Sequence, residues 1–262
     1  MKRLLATIFF LTFVRFSYGG VELIHSDFLE TSLKNKDELR LKGNVVLGMD
    51  HTSVRAQAAT WNKDTGKVFL TGNVFVEDTA FTLRSDYLVY DEVADEARFR
   101  GDVRIELVDR QTVIRCGYGN YDRGNGQIFL FDKPYLVDED STGSRTELFS
   151  EQMIYIPDSS LGIARGSIVL IMSGRDSSEY RILCDSLIYH EDTGELLAYG
   201  HTRLEADSVA ATCGRAIYTK EPERLWLFDA PEVFDSHNRA SGDSILLPYP
   251  TVSLSLLMYS VM

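Results

Sequence analysis

The chain has 262 residues, of which 44% are hydrophobic and 25% charged, with a formal charge of −12. That length supports one large all-β domain or two ordinary domains with a real core. So acidic a surface repels nucleic acid and anionic lipid headgroups at long range, and an anionic ligand would need local basic groups or apolar burial.

At the start of the chain, Lys2 and Arg3 precede an apolar run from Leu4 to Val14, and Ser17-Tyr18-Gly19 offers small residues for a signal peptidase. This reads as a secretory signal peptide over residues 1–19. The run is too short to span a bilayer, and Arg15 follows it. Loss of Lys2, Arg3 and Arg15 would take the formal charge of the exported chain to about −15.

From His25 to Lys42 the chain reads as the second half of a degenerate repeat that ends at Gly43. Units then begin at Gly43, Gly72, Gly101, Asp132, Gly166 and Gly200, and a partial one at Asp229, spaced 29, 29, 31, 34, 34 and 29 residues apart. Within them Trp61, Tyr90, Tyr121, Tyr155, Tyr189 and Tyr218 each stand 11 residues before the next Gly or Asp. A fixed interval of this kind marks one recurring structural unit. Apolar and polar residues alternate with period two, rich in Val, Ile, Phe and Tyr, so the units are strand. Turn residues fall twice per unit, as in Asn62-Lys63-Asp64-Thr65-Gly66 and Glu77-Asp78-Thr79. Each unit is thus a pair of strands in a meander, and the glycine inside an otherwise continuous strand marks a bend or bulge. The expectation is an all-β antiparallel sheet of about sixteen strands in a single domain over residues 20–262, made of about seven repeats.

Five residues before each aromatic stands a small residue: Ala56, Ser85, Cys116, Ser150, Cys184 and Cys213. A redox or metal set and a tightly packed inward position both fit this column, the second because Ala, Ser and Cys interchange there. A disulfide between Cys184 and Cys213 stays open. Two residues upstream the same face carries Val54, Leu83, Ile114, Leu148, Ile182 and Ala211, and continuing the alternation two residues downstream places Ala58, Tyr87, Tyr118, Gln152, Ser186 and Arg215 on it. Such wide, narrow and polar rungs suit a groove better than a dry core. The opposite face presents Arg55, Arg84 and Arg115, which fit either a phosphate grip or a solvated row paired with carboxylates.

No catalytic motif accompanies the repeat. His25, His51, His190, His201 and His237 share no place in the unit and no metal-ligand spacing. Asp138, Asp140, Thr142 and Gly143 echo a calcium loop, but Phe149 occupies the position of its bidentate Glu. We therefore expect no cofactor, no metal and no enzymatic activity. The uncharged stretch from Ser244 to Met262 is broken by Pro248 and Pro250 and reads as a last edge strand open to a partner sheet.

The repeated Gly43-Asn44-Val45, Gly72-Asn73-Val74 and Gly101-Asp102-Val103, with the stretches Ser85 to Tyr90 and Cys184 to Tyr189, resemble the OstA/LptA family of periplasmic lipopolysaccharide-transport proteins. The resemblance covers nearly all of the exported chain. It implies an open, twisted β-jellyroll whose apolar groove shelters the acyl chains of lipopolysaccharide or a similar glycolipid, with Val54, Leu83, Tyr87, Val89, Ile114, Tyr118, Leu148, Ile182 and Ile188 lining it. It also implies a periplasmic, non-enzymatic bridge component that pairs edge to edge with itself or with inner- and outer-membrane relatives. The acidic charge departs from what a phosphorylated ligand favours, and the insertions in the fourth and fifth units disturb the register. The competing class is a structural or adhesive β-repeat protein with a filled core that binds partners or glycans on its outside.

Overall fold

In the computed structural model, residues 16–18, 20–31, 37–49, 51–108, 111–139, 143–156, 159–173, 179–190, 192–206, 208–220 and 222–248 are described. They form one antiparallel sheet of 21 strands. The first are β1 (Phe16–Tyr18), β2 (Val21–His25), β3 (Phe28–Thr31), β4 (Glu38–Met49), β5 (Thr52–Asn62), β6 (Lys67–Glu77) and β7 (Phe81–Asp91). The middle of the chain adds β8 (Glu96–Leu107), β9 (Val113–Asp122), β10 (Gln127–Phe131), β11 (Tyr135–Glu139), β12 (Arg145–Phe149), β13 (Gln152–Ile156) and β14 (Leu161–Ser173). The last are β15 (Glu179–His190), β16 (Glu195–Ala206), β17 (Val209–Lys220), β18 (Glu223–Phe228), β19 (Glu232–Phe234), β20 (Arg239–Ser241) and β21 (Ser244–Pro248).

The excess over about sixteen has a simple cause. Five passages of the chain are split at their midpoint into β2/β3, β10/β11, β12/β13, β18/β19 and β20/β21, and Pro134 and Pro231 sit at two of the breaks. The two halves of a split passage pair with the two halves of one unbroken neighbour: β10 and β11 both pair with β9, and β12 and β13 both pair with β14. Every passage therefore crosses the same bend.

That bend folds the sheet into two facing layers. At each repeat boundary two consecutive residues take left-handed backbone angles, as at Gly72 and Asn73 (φ 77° and 48°) or Gly101 and Asp102 (φ 81° and 40°). The ladder shifts register there, between Arg55/Ala58 on β5 and again between Thr71/Val74 on β6. Glycine is needed for two reasons at Gly101, since its φ is in the region L-residues avoid and a Cβ would collide with the Asp86 carboxylate across the strand. The sequence places these corners correctly from the interrupted alternation.

The corner also changes which side chains face in. On β7, Phe81, Leu83 and Ser85 are buried before the bend, and Leu88 and Tyr90 after it, so two outward residues, Asp86 and Tyr87, stand between the inward sets. The outside of a bend is longer than its inside. Period two restarts with the opposite parity, and alternation carried straight through assigns the wrong face beyond the corner. Tyr87, Val89, Tyr118 and Ile188 accordingly lie on the outer face: Tyr87 packs under the Arg100 guanidinium at 4.7 Å, and Tyr118, 51% exposed, stacks on Phe131. The inward residues at those levels are Leu88, Tyr90, Gly119 and Leu187.

One core runs between the layers, from Val21 to Leu247, with Trp61, Leu41, Leu47, Leu70, Ile105 and Leu130 fully enclosed. Each such side chain contributes about 1.5–3 kcal/mol by leaving water. The leader read in residues 1–19 lies outside the described residues except for the backbone of β1, which pairs with β2. Residues 249–262 of the uncharged tail also lie outside them, while Ser244–Pro248 forms β21 and pairs with β18.

Candidate functional site: an interlayer cavity in the C-terminal half

The two halves of the interior differ in filling. In the N-terminal half a small space of about 40 Å³ lies between the layers, bounded by Met49, Val54, Phe81, Leu83, Phe99 and Tyr121 among others. Phe81, from one layer, meets Tyr121, from the other, edge to face at 5.6 Å. Contact of this kind adds to area burial by about 0.5–1.5 kcal/mol and holds the layers together. In the C-terminal half the layers stand apart around a cavity of about 880 Å³, partly open to solvent and lined by residues between Leu107 and Leu247. That volume falls in the ~300–1,000 Å³ range of cavities that enclose a small ligand.

The cavity wall is mainly apolar, although Gln111, Glu139, Arg181 and Glu205 also border it. Leu136, Leu148, Met172, Leu204, Val209 and Leu225 line it, each only partly covered. The repeat aromatics mark the change from filled to open: Trp61 is 0% and Tyr90 5% exposed, whereas Tyr189 is 39% exposed and lines the cavity with Tyr155 and Tyr218. The same column that closes the interior early in the chain becomes the lip of the cavity late in it. Asp138 also lines the cavity, and its carboxylate accepts a hydrogen bond from the Thr112 hydroxyl at 2.5 Å. Thr52 and Asp78 repeat this pair at 2.6 Å in the filled half, so it belongs to the hairpin rather than to a ligand.

Of the nine residues named from the sequence, Ile114, Leu148 and Ile182 line this cavity. Val54 and Leu83 border the small space in the filled half and are 2% and 3% exposed. Tyr87, Val89, Tyr118 and Ile188, on the outer face, border neither. Sequence reasoning passed over Met172, Leu204, Val209 and the lip tyrosines. The tyrosines carried a usable signal, since they form the repeat's own aromatic column.

The other candidate sets behave as ordinary structure. Cys184 is buried, as is Cys213, all three thiols are free, and Thr202 of β16 lies between the strands that carry those two. Two strand spacings are about 9.5 Å, beyond disulfide reach. Burial pushes the Cys116 thiol up to about 12 and those of Cys184 and Cys213 to about 11, so none is a poised thiolate. On the outer face Arg104 enters the arginine row between Arg84 and Arg115. Arg55 pairs with Glu77 at 3.2 Å and Arg84 packs over Phe75 at 4.8 Å. Arg104 Nε lies 2.6 Å from Glu106, a close ion pair too bent to be a hydrogen bond. His201 meets Asp185 at 2.7 Å and His25 meets Asp27 at 3.3 Å, both at corners. Among the described residues no three His, Cys, Asp or Glu converge as metal ligands.

The profile of the OstA-like protein family matches residues 19–175, more than half of the chain. The chain belongs to the OstA-like family. No curated protein matches it. The match takes in all of the filled half and the cavity lining as far as Met172; the rest of the lining, from Tyr180 to Leu247, comes from later repeats of the same kind.

Proposed function

We propose that this OstA-like protein is a periplasmic, non-enzymatic carrier that shelters the acyl chains of lipopolysaccharide or a similar glycolipid between its two layers on the way to the outer membrane. Membership of the family supports a place in lipopolysaccharide transport. The cavity of about 880 Å³ carries the reading, because its wall is mainly apolar and it is partly open to solvent. Sheltering a chain there yields about 25 cal/mol per Å² of apolar surface removed from water, and no bond is made or broken. Export by the N-terminal leader and edge-to-edge pairing through the terminal strands complete the proposal. The exposed Phe28 and Leu29 on β3, which pairs only with β4 among the described residues, support the pairing at the N-terminal edge.

The cavity occupies only one half, so the carrier holds its ligand in the C-terminal repeats while the N-terminal repeats act as a rigid filled scaffold. The test is photo-crosslinking of added lipopolysaccharide from probes at Met172, Leu148, Val54 and Leu83, with mass spectrometry of amphiphiles that co-purify. Crosslinks from the first two positions and none from the last two are expected. Absence of crosslinks from Met172 and Leu148, with no co-purifying amphiphile, would overturn the carrier reading in favour of a structural β-repeat protein.

A further inference from the structure

Along the lip that carries the repeat aromatics, residues from neighbouring strands stand opposite one another in the order Trp61, Val68, Tyr90, Ala97, Tyr121, Ile128, Tyr155, Gly162, Tyr189, Leu196, Tyr218, Leu225. Aromatic and aliphatic side chains alternate without interruption except at Gly162. Nothing in the backbone calls for that glycine. Its φ lies outside the left-handed region, and a Cβ built on it would meet no atom within 4 Å. A glycine in a strand interior costs stability relative to any of the aliphatic residues at the equivalent positions. A neighbouring aromatic commonly covers such a bare position, yet neither Tyr155 nor Tyr189 lies over this one, since the space above it is open. All three residues line the cavity.

We infer that the gap at Gly162 is a slot for one pyranose ring of the bound glycolipid, held between Tyr155 and Tyr189 at the junction of head and tail. The inference rests on the carrier reading above. The two tyrosines are two strand spacings apart, about 9.5 Å, which leaves room for one saturated ring between two phenols. Gly162 is the second residue of β14, next to the hairpin, and Tyr189 is 39% exposed, so the slot lies where the cavity meets water. An amphiphile passes there from apolar tail to polar head. A pyranose has two faces of C–H groups and an edge of hydroxyls, which matches stacking surfaces on both sides and an open, wet front. A plain acyl chain gains nothing from that edge, and the deeper wall of Leu148, Met172 and Leu204 already receives it.

Two probes with the same tail separate the ring from the chain: dodecyl maltoside and a dodecyl oligo(ethylene glycol) ether, each titrated below its micelle concentration into the full protein by calorimetry. The wild type is expected to bind the maltoside more tightly. Gly162→Val restores the side chain found at the equivalent Val68 and suits a strand, so the variant is expected to fold with unchanged or raised thermal stability. It should lose about tenfold in maltoside affinity while its affinity for the ether stays within about twofold. Tyr189→Ala should lose the same preference, and Tyr189→Phe should keep it. Maltoside binding unchanged in Gly162→Val, or equal losses for both probes, would overturn the slot while leaving the carrier intact. A wild type that binds the ether without preferring the maltoside would do the same. Binding of neither probe by the wild type overturns the carrier reading and the slot with it.

Discussion

Asp132 and Gly117 face each other across a corner with their roles exchanged relative to the other units. Elsewhere the corner glycine receives a carboxylate or amide from the preceding strand: Gly72 receives Gln57, Gly101 Asp86, Gly166 Glu151 and Gly200 Asp185. At the fourth unit the carboxylate is on the corner residue itself, Asp132 at φ 62°, and the glycine is on the preceding strand, where a Cβ would strike the Asp132 side chain. Asp229 and Gly214 repeat the exchange. Each of these corners holds one bulky polar side chain and one glycine, whichever strand supplies which. We expect Gly117→Asp to destabilise the protein by about 2–3 kcal/mol through steric and charge conflict with Asp132. The exchanged double variant Gly117→Asp/Asp132→Gly should recover most of the loss in urea denaturation, and additive losses would show that the corner is not a unit.

The latch between the layers in the filled half should be expensive to remove. Phe81 is 3% exposed and packs on Tyr121. Phe81→Ala is expected to cost about 3–5 kcal/mol, read from the denaturation midpoint. A loss below about 1 kcal/mol would mean that the layers stay closed without it.

A bulky substitution should have opposite consequences in the two halves. Leu148→Trp projects its indole into the cavity, so stability should change by less than about 1 kcal/mol while amphiphile binding falls. Leu83→Trp overpacks a position that is 3% exposed and should destabilise by about 1–3 kcal/mol, with binding by the remaining folded protein preserved. Titration calorimetry beside thermal melting separates the two.

The cysteine column makes stability fall at alkaline pH. The folded thiols titrate at about 12 for Cys116 and about 11 for Cys184 and Cys213, above the ordinary value of 9.0. Well below pH 9 both folded and unfolded thiols are neutral, so this contribution is fully present; from around 9 to about 11 for Cys184 and Cys213, and to about 12 for Cys116, the unfolded state loses protons that the folded state retains, and stability declines. Replacing all three by Ser, the residue at Ser85 and Ser150, should flatten part of the decline between pH 8.5 and 10.5, as followed by urea midpoints at about half-unit intervals. A slope identical to wild type would assign it wholly to other groups.

Much of this architecture was legible because its rules are local. Gly-Asn-Val at Gly72 breaks the alternation visibly, and the fixed interval from Trp61 to Gly72 reveals the unit. The outward turn of Tyr87, Val89, Tyr118 and Ile188 was not legible, because a two-residue periodicity gives no sign that a bend has consumed one extra residue on its convex side. Cavity position was harder still. Leu83 and Leu148 hold equivalent places in the repeat, yet one is packed and the other borders open space, since the distance between layers depends on Phe81 reaching Tyr121 from another strand. The bare Gly162, by contrast, stands out once the units are aligned.

Strands in this sheet touch mainly their immediate neighbours, so the protein behaves as a one-dimensional stack. In such a stack cooperativity travels from rung to rung and decays wherever coupling across the interior is weak. The Phe81–Tyr121 contact couples the layers in the filled half, so coupling across the interior should weaken beyond it, in the repeats around the cavity. A guest entering the cavity as proposed would add the coupling across the interior that the later rungs lack.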